Sequence, residues 1–163
     1  MSINSELFRK VLSQFATGVT IVTTRHGDEI HGLTANSFCS VSLAPPLVLV
    51  CVDKDAHSHD LIQKSGTFAV NILTAAQEPL ARRFATNSLS AAERFAGIKQ
   101  HGEITGAPIF EESLGWLDCR LFATHAGGDH TILVGEVMAL GKRQKNEPLL
   151  YFHSKYRQIV LAV

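Results

Sequence analysis

The sequence predicts a mainly β fold, an antiparallel barrel with short peripheral helices. Three observations carry that expectation. Runs of β-branched and aliphatic residues recur along the chain, about seven of them long enough to be strands. Two pairs of these runs are joined by short Gly- and Asp-containing segments that read as hairpin turns. Helical patterns are few and short, so the strict alternation of strand and helix that marks parallel βαβ units is missing.

The elements follow in chain order. Leu7, Phe8, Val11, Leu12 and Phe15 fall on one apolar stripe at helical spacing, and this helix ends by Gly18. Residues 19–24 are almost wholly β-branched, and a turn at His26-Gly27-Asp28-Glu29 leads into 30–34, the first hairpin. Strands at 40–43 and 47–52 are separated by Ala44-Pro45-Pro46, where the prolines are expected to interrupt ladder pairing. A short helix at 58–65 precedes a strand at 68–73. Thr74 with Gln77, and Ser90 with Glu93, are capping boxes that open helices near 75–84 and 91–96. Glycines and prolines make 97–113 an extended loop. Strands at 116–125 and 130–140 flank Ala126-Gly127-Gly128-Asp129, the second hairpin, and 149–152 and 156–163 close the chain as a turn and a last strand.

At 163 residues the chain is expected to form a single domain, 1–163. Hydrophobic residues at 45% against charged ones at 18% exclude global disorder and leave ample material for a core. Fifteen basic and fifteen acidic side chains cancel, which removes the basic footprint that nucleic-acid binding requires. No apolar run is long enough to span a membrane, and the opening MSINSELFRKVLSQF lacks a signal peptide's apolar segment. Cys39, Cys51 and Cys119 are odd in number, lack CxxC spacing and lie in apolar stretches, the pattern of free buried thiols in a reducing, cytoplasmic compartment.

The sequence contains no G-x-G-x-x-G after a strand, no G-x-x-x-x-G-K-[ST], no H-E-x-x-H and no G-x-S-x-G, so four common enzyme classes lose support. His57-Ser58-His59-Asp60 is read as a polar entry to a helix, with Ser58 or Asp60 as cap, and no metal is assigned to it. The segment 32–42 is denser in chemistry: Thr34, Asn36, Ser37, Ser40 and Ser42 crowd small donors between two apolar strands. Such a stretch surrounds a ligand rich in acceptors, such as a phosphorylated heterocycle, or it caps its own turns. The residues alone leave both readings open.

Several blocks of the sequence, in order, resemble the flavin reductase-like family of NAD(P)H:flavin oxidoreductases. They are Phe15-Ala-Thr-Gly-Val-Thr-Ile-Val-Thr-Thr24, the 32–42 segment, Pro46-Leu-Val-Leu-Val-Cys51, Phe68-Ala-Val-Asn-Ile-Leu73, Gly128-Asp-His-Thr-Ile132 with Gly135-Glu-Val137, and Pro148-Leu-Leu-Tyr-Phe152. The resemblance implies a split antiparallel β-barrel that binds FMN, or FAD, at a homodimer interface. It implies hydride transfer from NADH or NADPH to the flavin, which is then supplied to a separate flavin-dependent monooxygenase. An FMN-bound electron-transfer protein of the same fold is the alternative.

Residue by residue, the resemblance puts Thr34, Ala35, Asn36, Ser37, Ser40, Val41 and Ser42 along the flavin, and Cys51, Val52, Asp53, Lys54 and Ser58 at its ring edge and phosphate tail. Arg83, Phe84 and Ala85 close over the cofactor, and His130, with Tyr156 close to it, borders the nicotinamide. His130 is cast as the positioning and catalytic group. Lys54, Arg82 and Arg83 are the candidate phosphate cations, with Lys54 as a solvated turn lysine and His130 as an ordinary turn residue the competing readings. Backbone N–H groups around Asp53 are expected to face the reduced ring, and the zero net charge is expected to conceal a cationic pocket.

Overall fold

The computed structural model describes residues 3–143 and 147–159. In order, the chain forms helix α1 (Ser5–Leu12) and strands β1 (Thr17–Gly18), β2 (Thr20–His26), β3 (Glu29–Ala35), β4 (Cys39–Leu43) and β5 (Pro46–Asp53). Helix α2 (His57–Ser65), strand β6 (Thr67–Ile72), a 3-10 turn at Ala75–Gln77, and helices α3 (Glu78–Phe84) and α4 (Ala91–Phe95) follow. Strands β7 (Gln100–His101), β8 (Ile109–Phe110), β9 (Gly115–Gly127), β10 (His130–Lys142), β11 (Leu150–Phe152) and β12 (Lys155–Arg157) complete it.

Seven strands make one antiparallel sheet in the order β3-β2-β6-β9-β10-β5-β4, while β1, β11 and β12 form a small second sheet and β7 pairs with β8. Both expected hairpins are present. Gly27 at φ 59° and Gly128 at φ 71° supply the left-handed residues of their turns, a conformation glycine adopts without a Cβ penalty. Along β5, Val48, Val50 and Val52 are buried and alternate with more exposed residues, the period-two pattern of a half-buried strand. They join Val22, Ala35, Phe68, Val70, Cys119 and Leu133 in one core. A second core gathers Phe84, Phe95 and Phe110, whose ring centroids lie 5.1–6.0 Å apart, and locks α3, α4 and β8 against β2.

The chain passes from β3, at one edge of the large sheet, to β4, at the other, through residues 36–38. Ser37 ties this crossing to β5: its hydroxyl donates to Cys51 O at 2.9 Å and accepts from Cys51 N–H at 3.1 Å. In β3, Gly32 permits a close approach, since a Cβ there would meet the Phe84 ring at 2.9 Å.

Several expectations are corrected. The first helix ends before Gly18 as expected, but it stops at Leu12 and so excludes Phe15, and none of its residues is buried. Pro46 does not interrupt pairing; it opens β5 opposite Leu43, because a first strand position needs no donated ladder bond from proline. The 97–113 loop contains the β7 and β8 pair. Helix α2 starts one residue early on Ala56, which has no capping side chain, so neither Ser58 nor Asp60 is the N-cap. The final segments are a tight hairpin turning at His153 and Ser154, both at positive φ, and β12 ends at Arg157; residues 160–163 of the expected last strand lie outside the described residues. Cys39 is exposed on the edge strand β4 rather than buried. The Ser90–Glu93 box is complete, with Glu93 Oε2 accepting from Ser90 N–H at 2.8 Å and Ser90 Oγ accepting from Glu93 N–H at 3.3 Å. Among the described residues, no helix is long and apolar enough to cross a membrane.

Candidate functional site

A cavity of about 740 Å³ lies between β3, the end of β5, the start of α2 and the connection from α3 to α4. In β3, Glu29, His31 and Leu33 alternate onto one face and line it, joined by Thr34. Thr34 donates its hydroxyl proton to Ala81 O at 2.6 Å, which fixes α3 to β3. His31 Nδ1 lies 2.5 Å from Ser58 Oγ, and the His31 ring meets that of His57 edge to face at 4.8 Å. His57 Nε2 in turn contacts Glu29 Oε1 at 2.6 Å, and that contact holds the Glu29 carboxyl below its usual range. Burial, reinforced by the charges of Arg94 and His57, pulls His31 down to about 4, so its imidazole is neutral at pH 7.

Arg94, on the short helix α4, is 4% exposed. Its Nε donates to Leu89 O at 3.1 Å, and its Nη1 donates to Phe84 O at 2.9 Å and Gly32 O at 3.4 Å. Burial lowers its pKa, though a guanidinium stays charged in proteins.

Of the residues marked by the sequence, Thr34, Asp53, Ser58, Phe84 and Ala85 line this cavity. Asn36 lines a smaller one of about 340 Å³ with Phe15 and Phe38, and its amide donates to Thr17 Oγ1 at 3.2 Å. Ala35 and Val52 do neither; both side chains are buried in the core. Ser37 is engaged with the Cys51 backbone, and burial raises the Cys51 thiol. Ser40 and Val41 are exposed on β4, and Ser42 Oγ accepts from Ala44 N–H at 3.2 Å.

A third group gathers at the corner where β5 meets the β9–β10 turn. His130 is the ladder partner of Asp53, so the two side chains leave the sheet on one side. His130 Nδ1 lies 2.8 Å from Asp129 Oδ1, which lowers the Asp129 carboxyl. Lys54 Nζ donates to Gly128 O at 2.5 Å. The backbone N–H groups expected to face the flavin here are already used: Lys54 donates to Asp129 O, Asp55 to Asp53 Oδ1 and Ala56 to Asp53 O. Tyr156 packs on Tyr151 in the small sheet, under the Arg82 guanidinium at 4.8 Å from the ring centre. None of the three expected phosphate cations lines the main cavity, since Arg82 pairs with Glu78 at 2.7 Å and Arg83 donates to Ala96 O at 2.9 Å.

Sequence reasoning missed His31, His57, Glu29 and Arg94. The alternation through Leu33 was a usable signal for His31 and Glu29. Arg94 had none, because its place depends on α4 folding back over Gly32. The expected cationic patch is one buried guanidinium among carboxylates.

A buried cation, the hydroxyls of Thr34 and Ser58 and the apolar wall of Leu33 and Phe84 meet in this one cavity. The flavin reductase like domain pattern matches residues 12–160. The reductase subunit HsaB of a flavin-dependent monooxygenase from Mycobacterium tuberculosis is 40% identical over 159 residues, covering 96% of this chain and 83% of that relative. An NADH-dependent FAD reductase from Streptomyces globisporus is 43% identical over 157 residues, covering 92% and 83%. The solved NADH:FAD oxidoreductase of Streptomyces globisporus with NAD and FAD fragments superposes with a TM-score of 0.90 at 41% identity, covering 96% of this chain and 93% of that one. This chain belongs to the flavin reductase like domain family.

Proposed function

We propose that the chain is an NADH-dependent flavin reductase that supplies reduced FAD or FMN to a separate flavin-dependent monooxygenase. The observation that carries this is the coincidence of family membership over 12–160 with a cavity whose donors fit a phosphorylated flavin. When bound, the flavin accepts the reducing equivalents of the nicotinamide and carries them away. The chain's part is to bind, orient and shield. Leu33 and Phe84 exclude water from one side of the cavity, while Arg94 and the Thr34 hydroxyl oxygen, whose proton goes to Ala81 O, line the side that takes the polar chain of the ligand. His130, beside Asp53, orients the dinucleotide at the cavity's outer corner.

The sheet supports a split-barrel reading of the whole chain as one flavin reductase domain. Strands β2, β3, β5, β6, β9 and β10 all feed a single core, and Ser37 ties the crossing between the two sheet edges to β5. A homodimer is supported by α1, whose Leu7, Phe8, Val11 and Leu12 are at least half exposed, with Ile3 at 81% and Phe15 at 76%. Asn36 and Phe15 line the same small cavity, so a partner covering α1 would border Asn36, which the resemblance puts along the flavin. Three free thiols fit a reducing compartment, the cytoplasm.

The test is stoichiometric. Purified protein with excess NADH and free FAD or FMN is expected to oxidise NADH far beyond its own concentration; a single stoichiometric bleach would show a one-electron carrier instead.

A further inference from the structure

The main cavity contains a guanidinium that forms no ion pair among the described residues, although Glu29, Asp53 and Asp55 line the same cavity. Arg94 is 4% exposed, and no carboxylate pairs with it among the described residues. Burying a charge is costly unless something compensates it. Three carbonyls, from Leu89, Phe84 and Gly32, fix the guanidinium plane through Nε and Nη1 but carry no opposite charge. Nη2 makes no hydrogen bond among the described residues, while Arg94 lines the cavity together with Ser58 and the neutral His31. The three basic residues that the resemblance offered for a phosphate are committed elsewhere: Lys54 to Gly128 O, Arg82 to Glu78 and Arg83 to Ala96 O.

We propose that Arg94 is the phosphoryl anchor of the cavity, its free Nη2 edge taking a phosphate oxygen of the bound nucleotide. The inference rests on the flavin reductase reading. The phosphoryl group belongs to the flavin or to the nicotinamide dinucleotide, and the chemistry at Arg94 is the same. Arg94 is a binding residue here: it touches the ligand and takes no part in electron transfer.

The experiment compares riboflavin, which has no phosphate, with FMN by fluorescence titration of wild type, Arg94→Gln and Arg94→Lys, with the KM for NADH measured on each. The expected result is a wild-type preference for FMN over riboflavin of about 10-fold or more, lost in Arg94→Gln with riboflavin affinity unchanged and partly kept in Arg94→Lys. If the KM for NADH rises by a similar factor while the FMN preference stays, the anchor serves the dinucleotide. Should Arg94→Gln fail to fold, wild type alone decides: inorganic phosphate competes with FMN, and not with riboflavin, only if the anchor exists. Equal losses for riboflavin and FMN, or no change in any of the three ligands, would overturn the assignment. A wild type that binds riboflavin and FMN equally well overturns Arg94 as flavin anchor and spares the reductase reading, whereas one that binds neither contradicts the reductase reading.

Discussion

His31 Nδ1 lies 2.5 Å from the Ser58 hydroxyl oxygen, a contact that joins strand β3 to the first turn of α2 across 27 residues of sequence. Burial of His31 holds it neutral, and the contact closes the inner wall of the cavity.

The neutral imidazole makes stability depend on pH. His31 is lowered from 6.5 to about 4, so the unfolded chain binds more protons than the folded one between those values. Stability is therefore expected to fall as pH drops from 6.5 toward 4. The lowered carboxyls Glu29, Glu93 and Asp129 begin to lose their contributions only as pH falls through their ordinary values of 4.5 and 3.8, at the bottom of this window. Thermal melts of wild type and His31→Gln across this window check it. The variant should show the shallower slope, and parallel slopes would remove His31 as the cause.

Asn71 is fully buried in β6 and fastens the 105–110 segment to the sheet. Its amide donates to Ile21 O, Thr23 Oγ1 and Pro108 O at 3.2–3.3 Å, and its Oδ1 accepts from Phe110 N–H at 2.8 Å. Asn71→Ala strands the Phe110 N–H inside the core, at a cost of about 1–3 kcal/mol. Urea unfolding should show a lower midpoint with an unchanged m-value.

The apolar face of α1 is expected to sit against a second copy of the chain. Phe8→Glu combined with Val11→Glu should yield a monomer in sedimentation velocity and weaken flavin binding, without lowering the melting temperature of the rest of the chain. A wild-type monomer that holds flavin normally would end the dimer proposal.

His130 carries a side chain that is 43% exposed and holds no core contact, so His130→Ala should leave stability intact. The expected change is a rise in the KM for NADH of roughly 3- to 10-fold, the worth of one hydrogen bond. An unchanged KM and rate would make it an ordinary turn residue.

The strands were legible because their signals are local. Residues 19–24 are β-branched, β5 alternates, and Gly27 and Gly128 mark turns. The helix starts at Ser90 and Thr74 were legible too, and at Thr74 both the N–H and the hydroxyl donate to Gln77 Oε1. The β7–β8 pair was not, since two-residue strands carry no period and exist only through their partner. Of the residues the resemblance marked, Thr34, Asp53, Ser58, Phe84 and Ala85 line the cavity, while the side chains of Ala35 and Val52 lie in the core and leave only their backbone for a ligand. His31 and Arg94 take their meaning from distant elements, through Ser58 and Gly32, and no window along the chain contains that information.

The most direct measurement is the fate of the reduced flavin. Under anaerobic conditions, a small amount of protein is incubated with excess NADH and FAD or FMN, and the ultrafiltrate is examined for free reduced flavin. A flavin reductase that supplies an oxygenase yields free reduced flavin in large excess over the protein. Reduced flavin confined to the protein fraction, at no more than one per chain, would contradict it.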